Sequence, residues 1–193
     1  MRKDIVLCGV GGQGTVLASR LISAAAMEKG LPVMSAETIG MAQRGGSVFS
    51  HLRIGEGVCS PMIALGEADL ILGFEPGEAV RMLPYLKEGG QVVVSSRPVM
   101  PVTATLSGQK YEAEEMLRFL RENVQNLMIV DADRAMREVG SSKVLNLILL
   151  GAALKSGALG LTEEELKNAI LAKIPEKFHA LNFKALSWAQ TQE

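Results

Sequence analysis

The sequence predicts an α/β fold: a Rossmann-like, mostly parallel sheet with helices on both faces and a helical C-terminal region. Three observations carry that expectation. Short apolar runs alternate with amphipathic helical stretches, a rhythm that suits β-α-β units. The first run ends in Cys8-Gly9-Val10-Gly11-Gly12-Gln13-Gly14-Thr15, glycines spaced as at a strand-to-helix turn. From Ser141 onward the pattern is helical throughout.

Ile5-Val6-Leu7 reads as a buried strand. From Gln13 to Lys29, Leu17, Leu21, Ala24 and Ala25 recur at helical spacing, with Arg20, Ser23 and Glu28 elsewhere. Gly30 suits the residue just past that helix, and Pro32 prevents its continuation. Pro32 to Ala36 reads as a second strand. Ser47 to Ile54 alternates polar and apolar residues, which predicts a half-exposed strand near a sheet edge. Asp69 to Phe74 is a parallel-type strand, and Pro76 fits the first position of a helix. Gly89-Gly90 predicts a turn into a strand at Gln91–Ser95. A polar, proline-broken stretch from Arg97 to Gln109 precedes a helix at Glu112–Asn123 and a strand at Leu127–Asp131. Thr162 with Glu165 forms a capping box, and Phe178, Leu181, Ala185 and Trp188 form a last apolar stripe. With no repeat or linker, residues 1–193 read as one domain whose helical part is 141–193.

Composition narrows the function. Hydrophobic residues make up 48% of the 193 but aromatics only 4%, so the core must be aliphatic and methionine-rich. A net charge of −1 argues against a nucleic-acid partner, which needs a basic face to replace counterions. Cys8 and Cys59 are too few for a disulfide scaffold, and without a Cys-x-x-Cys or Cys/His cluster the chain is expected to hold no metal or iron–sulfur cofactor. Met1-Arg2-Lys3-Asp4 leads into a strand, not a signal segment. The longest apolar run, Val144 to Leu154, is interrupted by Asn146 and too short to span a bilayer. A cytoplasmic protein with no membrane partner is expected.

The chemistry-bearing residues fall in two stretches. In the first, Gly9, Gly11, Gly12, Gln13, Gly14 and Thr15 would let backbone N–H groups approach an anion at a helix N-terminus. The same glycines equally permit a tight turn and close helix–sheet packing with no ligand. In the second, Thr38, Gln43, Arg44, Gly45 and Gly46 put an amide and a guanidinium beside a flexible pair of glycines. Arg44 either clamps a phosphate or carboxylate or anchors a partner chain. Glu37 lies 28 residues after Gly9, further than the usual ~20 for a ribose-binding carboxylate, and reads better as a loop carboxylate. Arg53 points either into the same crevice or to solvent. His51 reads as a hydrogen-bonded strand histidine, Cys8 as a small packing residue, and Asn146 as a buried pin or interface contact. No self-sufficient catalytic set is present.

Gly9-Val10-Gly11-Gly12-Gln13-Gly14 followed by Glu37-Thr38-Ile39-Gly40-Met41-Ala42-Gln43-Arg44-Gly45-Gly46-Ser47-Val48 resembles the γ subunit of 2-oxoacid:ferredoxin oxidoreductases, a domain shared with the small subunit of indolepyruvate:ferredoxin oxidoreductase. Ser50-His51-Leu52-Arg53-Ile54, Ala68 to Pro76, and the helix holding Asn146, Leu150 and Gly151 extend the similarity over nearly the whole chain. Glu75-Pro76-Gly77-Glu78-Ala79 resembles the indolepyruvate branch more than the pyruvate branch. The resemblance implies thiamine diphosphate and iron–sulfur clusters on partner subunits, ferredoxin reached through the complex, and coenzyme A as co-substrate. It agrees with the lack of a Gly-Asp-Gly…Asn motif here. It further implies a module that braces the catalytic subunits and lines the access path of coenzyme A. Two alternatives remain at this level: a free-standing NAD(P)-binding Rossmann oxidoreductase, and a structural or nucleotide-sensing module.

Overall fold

The computed structural model describes residues 2–39, 45–100 and 111–191. Its strands are β1 (Lys3–Val10), β2 (Val33–Ile39), β3 (Ser47–Ile54), β4 (Ala68–Gly73), β5 (Leu86–Ser95) and β6 (Asn126–Val130). They form one sheet in the order β2-β3-β1-β4-β5-β6. β1, β4, β5 and β6 pair in parallel, whereas β3 runs antiparallel to both β1 and β2. The sheet is therefore mixed, and mostly parallel as expected.

Successive residues of β1 feed two cores. Ile5 and Leu7 belong to one, Val6 and Cys8 to the other, which is why the strand reads as a continuous apolar run. The larger core lies under α1 (Thr15–Glu28), α4 (Ala132–Val139), α5 (Leu145–Lys155), α6 (Glu163–Lys173) and α7 (His179–Trp188). The smaller lies under α2 (Pro76–Met82) and α3 (Ala113–Asn123).

Helix α1 buries Ala18, Leu21, Ile22, Ala25 and Ala26, while Leu17 is 36% exposed and stands outside the core. The small alanines set the buried stripe, because they let the helix approach the sheet. Beyond Lys29, Leu31 N–H reaches the Ala26 carbonyl at 3.0 Å and Gly30 N–H the Met27 carbonyl at 2.9 Å. That paired closure needs the left-handed backbone of Gly30 (φ 78°).

Strand β3 departs from expectation. It lies inside the sheet between β2 and β1, and it is buried, not half-exposed. Its alternation separates two cores instead of core from water. Leu52 and Ile54 enter the larger core, while Phe49, His51 and Arg53 face the other side, where the Arg53 guanidinium meets Asp4 and His51 Nδ1 meets the Ile63 amide, His51 Nε2 staying unpaired among the described residues. The true edge on this side is β2, where Met34, Ser35 and Thr38 are exposed and Val33, Ala36 and Glu37 half-buried.

Other boundaries shift for local reasons. β5 begins at Leu86, so Gly89 (φ 69°) and Gly90 sit within the strand, beside a register irregularity against β4, and do not precede it. Helix α4 is not announced by the apolar pattern of the sequence. Its signals are local: the Asp131 carboxylate accepts from Arg134 N–H at 3.0 Å, and Gly140 (φ 93°) closes its end. The capping box at Thr162 and Glu165 is present. Phe178 is 44% exposed in a short turn before α7, and Asn182, Ala185 and Leu186 form the buried side of that helix. Helix α5 is buried from Leu145 to Ala153, as expected of a helix apolar all round and enclosed by neighbours.

Candidate functional site

Strand β1 delivers the chain to the glycine turn, and α1 leads it away. Gly9 is needed for close approach: a Cβ there would lie 2.7 Å from both Gln13 Oε1 and Phe74 Cβ. Gly12 (φ 105°) and Gly14 (φ 88°) occupy the left-handed region that side chains resist. Gln13 is committed internally. Its Oε1 accepts from Val10 N–H at 2.7 Å and its Nε2 donates to the Phe74 carbonyl at 2.9 Å, tying the end of β1 to the end of β4. Thr15 is buried as the first residue of α1. Asn146 on α5, only 3% exposed, packs against Gly14.

The two glycine stretches meet. Gly11 N–H donates to the Gly46 carbonyl at 2.9 Å, and Gly45 N–H to the Gly11 carbonyl at 3.4 Å. These bonds extend the β1–β3 ladder past Val10 and Ser47, so the N–H groups of Gly11 and Gly45 are both taken up by backbone carbonyls of the facing stretch. Gln43 and Arg44 lie outside the described residues. Thr38 is exposed on β2, opposite Phe49. Glu37 stands on β2 as well, with β3 interposed between it and β1. Two strand spacings, about 10 Å, then separate it from the strand that carries the glycine turn. A ribose-binding carboxylate belongs on the strand beside β1; that geometry is missing, and the NAD(P) reading loses its support.

Beyond the glycine turn opens a cavity of about 250 Å³ lined by Gly12, Gln13, Arg97, Val99, Ser142, Lys143 and two apolar residues. It lies outside the carboxyl ends of parallel strands, where ligands of such sheets collect. Arg97 follows β5 and has Asp133 only at 3.7 Å. Lys143 precedes α5. Two cations and the positive end of α1, whose first turn carries no acidic residue, make this a place for an anion. Neither Arg97 nor Lys143 was singled out in the sequence. The available signal for Arg97 was its place just after a parallel strand.

A buried acidic group borders the turn. Glu75 and Glu78 are 3% and 8% exposed. The Glu78 carboxylate accepts from the Ser47 hydroxyl at 2.6 Å, and Glu75 accepts from the Tyr111 hydroxyl. Burial raises the Glu75 pKa, against hydrogen bonds from Tyr111, Glu78 and Val99 that lower it. The Cys8 thiol is pushed well up by burial and then by Glu78 and Glu75, which leaves it protonated and inert.

His51 and Arg53 serve elsewhere. Arg53 is not in the crevice or in solvent; it is a buried partner of Asp4 at 2.8 and 3.1 Å, and also donates to the Met62 carbonyl at 3.0 Å. Asp4 is the second residue of β1 and the glycine turn follows its far end, about 20 Å away along the strand. His51 Nδ1 accepts from Ile63 N–H at 3.0 Å, and its pKa is lowered by burial and then by Arg53. Together the two side chains strap the segment between β3 and β4 onto the sheet. Among the described residues no group of three His, Cys, Asp or Glu side chains is placed to hold a metal ion, and no helix is long and apolar enough to cross a membrane.

The sequence profile described as pyruvate ferredoxin/flavodoxin oxidoreductase matches residues 4–190. The indolepyruvate oxidoreductase subunit IorB of Thermococcus kodakarensis is 38% identical over 184 residues, covering 94% of this chain and 91% of that one. The pyruvate/ketoisovalerate oxidoreductases common subunit gamma of Thermococcus litoralis is 26% identical, with 90% of each chain covered. Among solved structures, the keto/oxoacid ferredoxin oxidoreductase gamma subunit from Geobacter sulfurreducens shares the fold, with a TM-score of 0.70 at 24% identity, over 98% of this chain and 99% of that one.

Proposed function

Because the chain belongs to the pyruvate ferredoxin/flavodoxin oxidoreductase family, as a γ-type subunit of 2-oxoacid:ferredoxin oxidoreductases, we propose that it works as one non-autonomous domain in a cytoplasmic hetero-oligomer. Its companions hold thiamine diphosphate and iron–sulfur clusters, and the complex converts a 2-oxoacid to acyl-CoA and CO2 while reducing ferredoxin. The higher identity to IorB than to the common γ subunit supports an arylpyruvate as the 2-oxoacid.

Within that assembly the chain supplies an anion-binding wall for the phosphates of coenzyme A. The observation that carries this reading is the cavity in which Arg97 and Lys143 share walls with Gly12 and Gln13 at the N-terminal end of α1. The guanidinium and ammonium would neutralise phosphate charge, and the glycine turn lets the backbone come close. Gln13 contributes by fixing the turn. The Gly9, Gly14 and Thr15 contacts hold that turn on the sheet, and Gly45 and Gly46 brace it through Gly11.

The test uses the assembled complex. Replacing both cations (Arg97→Ala with Lys143→Ala) should raise KM for coenzyme A by about tenfold or more. KM for the 2-oxoacid should stay the same. An unchanged KM for coenzyme A would overturn the assignment.

A further inference from the structure

We propose that Glu75 is a positioning residue for the anion cavity: its carboxylate gathers donors from three segments and so holds the Arg97–Val99 wall opposite Gly12 and Gln13. The proposal rests on the cavity reading above and adds a residue that does not itself touch the anion.

Glu75 is the N-cap of α2, and its Oε2 accepts from Glu78 N–H at 2.9 Å. A cap alone is better made by Asp, Asn or Ser, whose short arms reach the first turn. The longer glutamate does more. Its Oε1 accepts from the Tyr111 hydroxyl, which itself accepts from Gly77 N–H at 2.9 Å. The Val99 backbone also faces the carboxylate and helps hold its pKa down against burial. Val99 lines the cavity two residues after Arg97, and Ser95 Oγ accepts from Arg97 N–H at 3.1 Å. One carboxylate therefore pins residue 99, residue 111 and the start of α2 together.

The glycine turn is joined to the same point. Gln13 Nε2 donates to the carbonyl of Phe74, the residue just before Glu75. Turn and wall thus anchor on adjacent residues, the turn on the Phe74 carbonyl and the wall on the Glu75 side chain. Gly77 leaves room for the arrangement, since a Cβ there would lie 2.9 Å from the Tyr111 hydroxyl oxygen. All donors to Glu75 are neutral, and among the described residues no cation pairs with it. Keeping a carboxylate buried in that way is costly unless its hydrogen bonds are complete. A local rule broken at this cost marks a position where function sets the residue.

The experiment measures coenzyme A binding calorimetrically, together with steady-state kinetics, on assembled complexes carrying Tyr111→Phe, Glu75→Gln or the Arg97/Lys143 double substitution. Tyr111→Phe keeps the ring and removes one donor, so the Kd and KM for coenzyme A should rise about fivefold. Glu75→Gln, which keeps one acceptor oxygen, should raise them further. KM for the 2-oxoacid should not move in either variant. If the double substitution weakens coenzyme A binding and the other two do not, Glu75 is only a cap; the proposal falls and the cavity reading stands. If none of the three weakens it, both fall. If Tyr111→Phe instead raises the KM of both substrates along with a lower melting temperature, the role is general stability and the proposal is overturned.

Discussion

Gly151 on α5 offers a stability prediction in which two effects of opposite sign compete. A Cβ at this position would lie 2.0 Å from the Leu186 carbonyl oxygen and 3.0 Å from its carbonyl carbon, against 3.4 Å or more for ordinary contact. The obstacle is the backbone of α7, which cannot rotate aside as a side chain can. Helices α5 and α7 must part, and the Gln190 Nε2 bond to the Gly151 carbonyl at 3.1 Å is disturbed with them. Overpacking of this kind reaches about 3 kcal/mol. Against it, Gly→Ala in a helix interior gains about 1 kcal/mol. Packing wins by about 2 kcal/mol, so Gly151→Ala should melt about 4–8 °C below the wild-type chain. Calorimetry or circular dichroism reads the shift, and an unchanged urea m-value would confirm that only the native state was affected. A melting temperature equal to or above wild type would refute the contact argument, because propensity would then have prevailed.

Two further outcomes follow from the strap between β3 and β4. The folded-state pKa of His51 is lowered from 6.5, so the fold favours neutral imidazole. Its contribution is complete above that value and is lost as pH falls toward the folded pKa. Urea titrations should show stability declining with acid below that point, with a shallower slope in His51→Asn; identical slopes would remove the histidine from the account. Arg53→Ala leaves Asp4 buried without its bidentate partner and should cost about 3–5 kcal/mol, measured by urea unfolding. A loss below 1 kcal/mol would mean that the pair is effectively solvated.

Much of the fold was legible because its signals are local. Gly30 and Pro32 end α1, Thr162 and Glu165 start α6, and the apolar run of β1 announces a strand covered on both faces. Helix α4 had equally local signals in Asp131 and Gly140, but eight residues give too short a period to stand out beside β6. The alternation of β3 misled because a period of two shows that the faces differ, not that one is wet. Arg53 finds Asp4 directly across the β1–β3 ladder, a pairing made by strands with α1, β2 and a long connection between them in sequence. Of the site, the glycine turn was readable; Arg97, Lys143 and Glu75 were not, since their neighbours come from distant segments.

By itself the sequence determined where strands turn into helices, that the core would be aliphatic, and which family the motifs resemble. These rest on spacing along the chain, on glycine's freedom and proline's restriction, and on residue types. Only the tertiary structure decided that an antiparallel β3 separates β1 from β2, that the two glycine stretches lock onto each other, and that a cation-lined cavity forms beside a buried glutamate. Each of these depends on contacts between residues far apart in the chain, whose favourable terms appear only after the loops between them have closed.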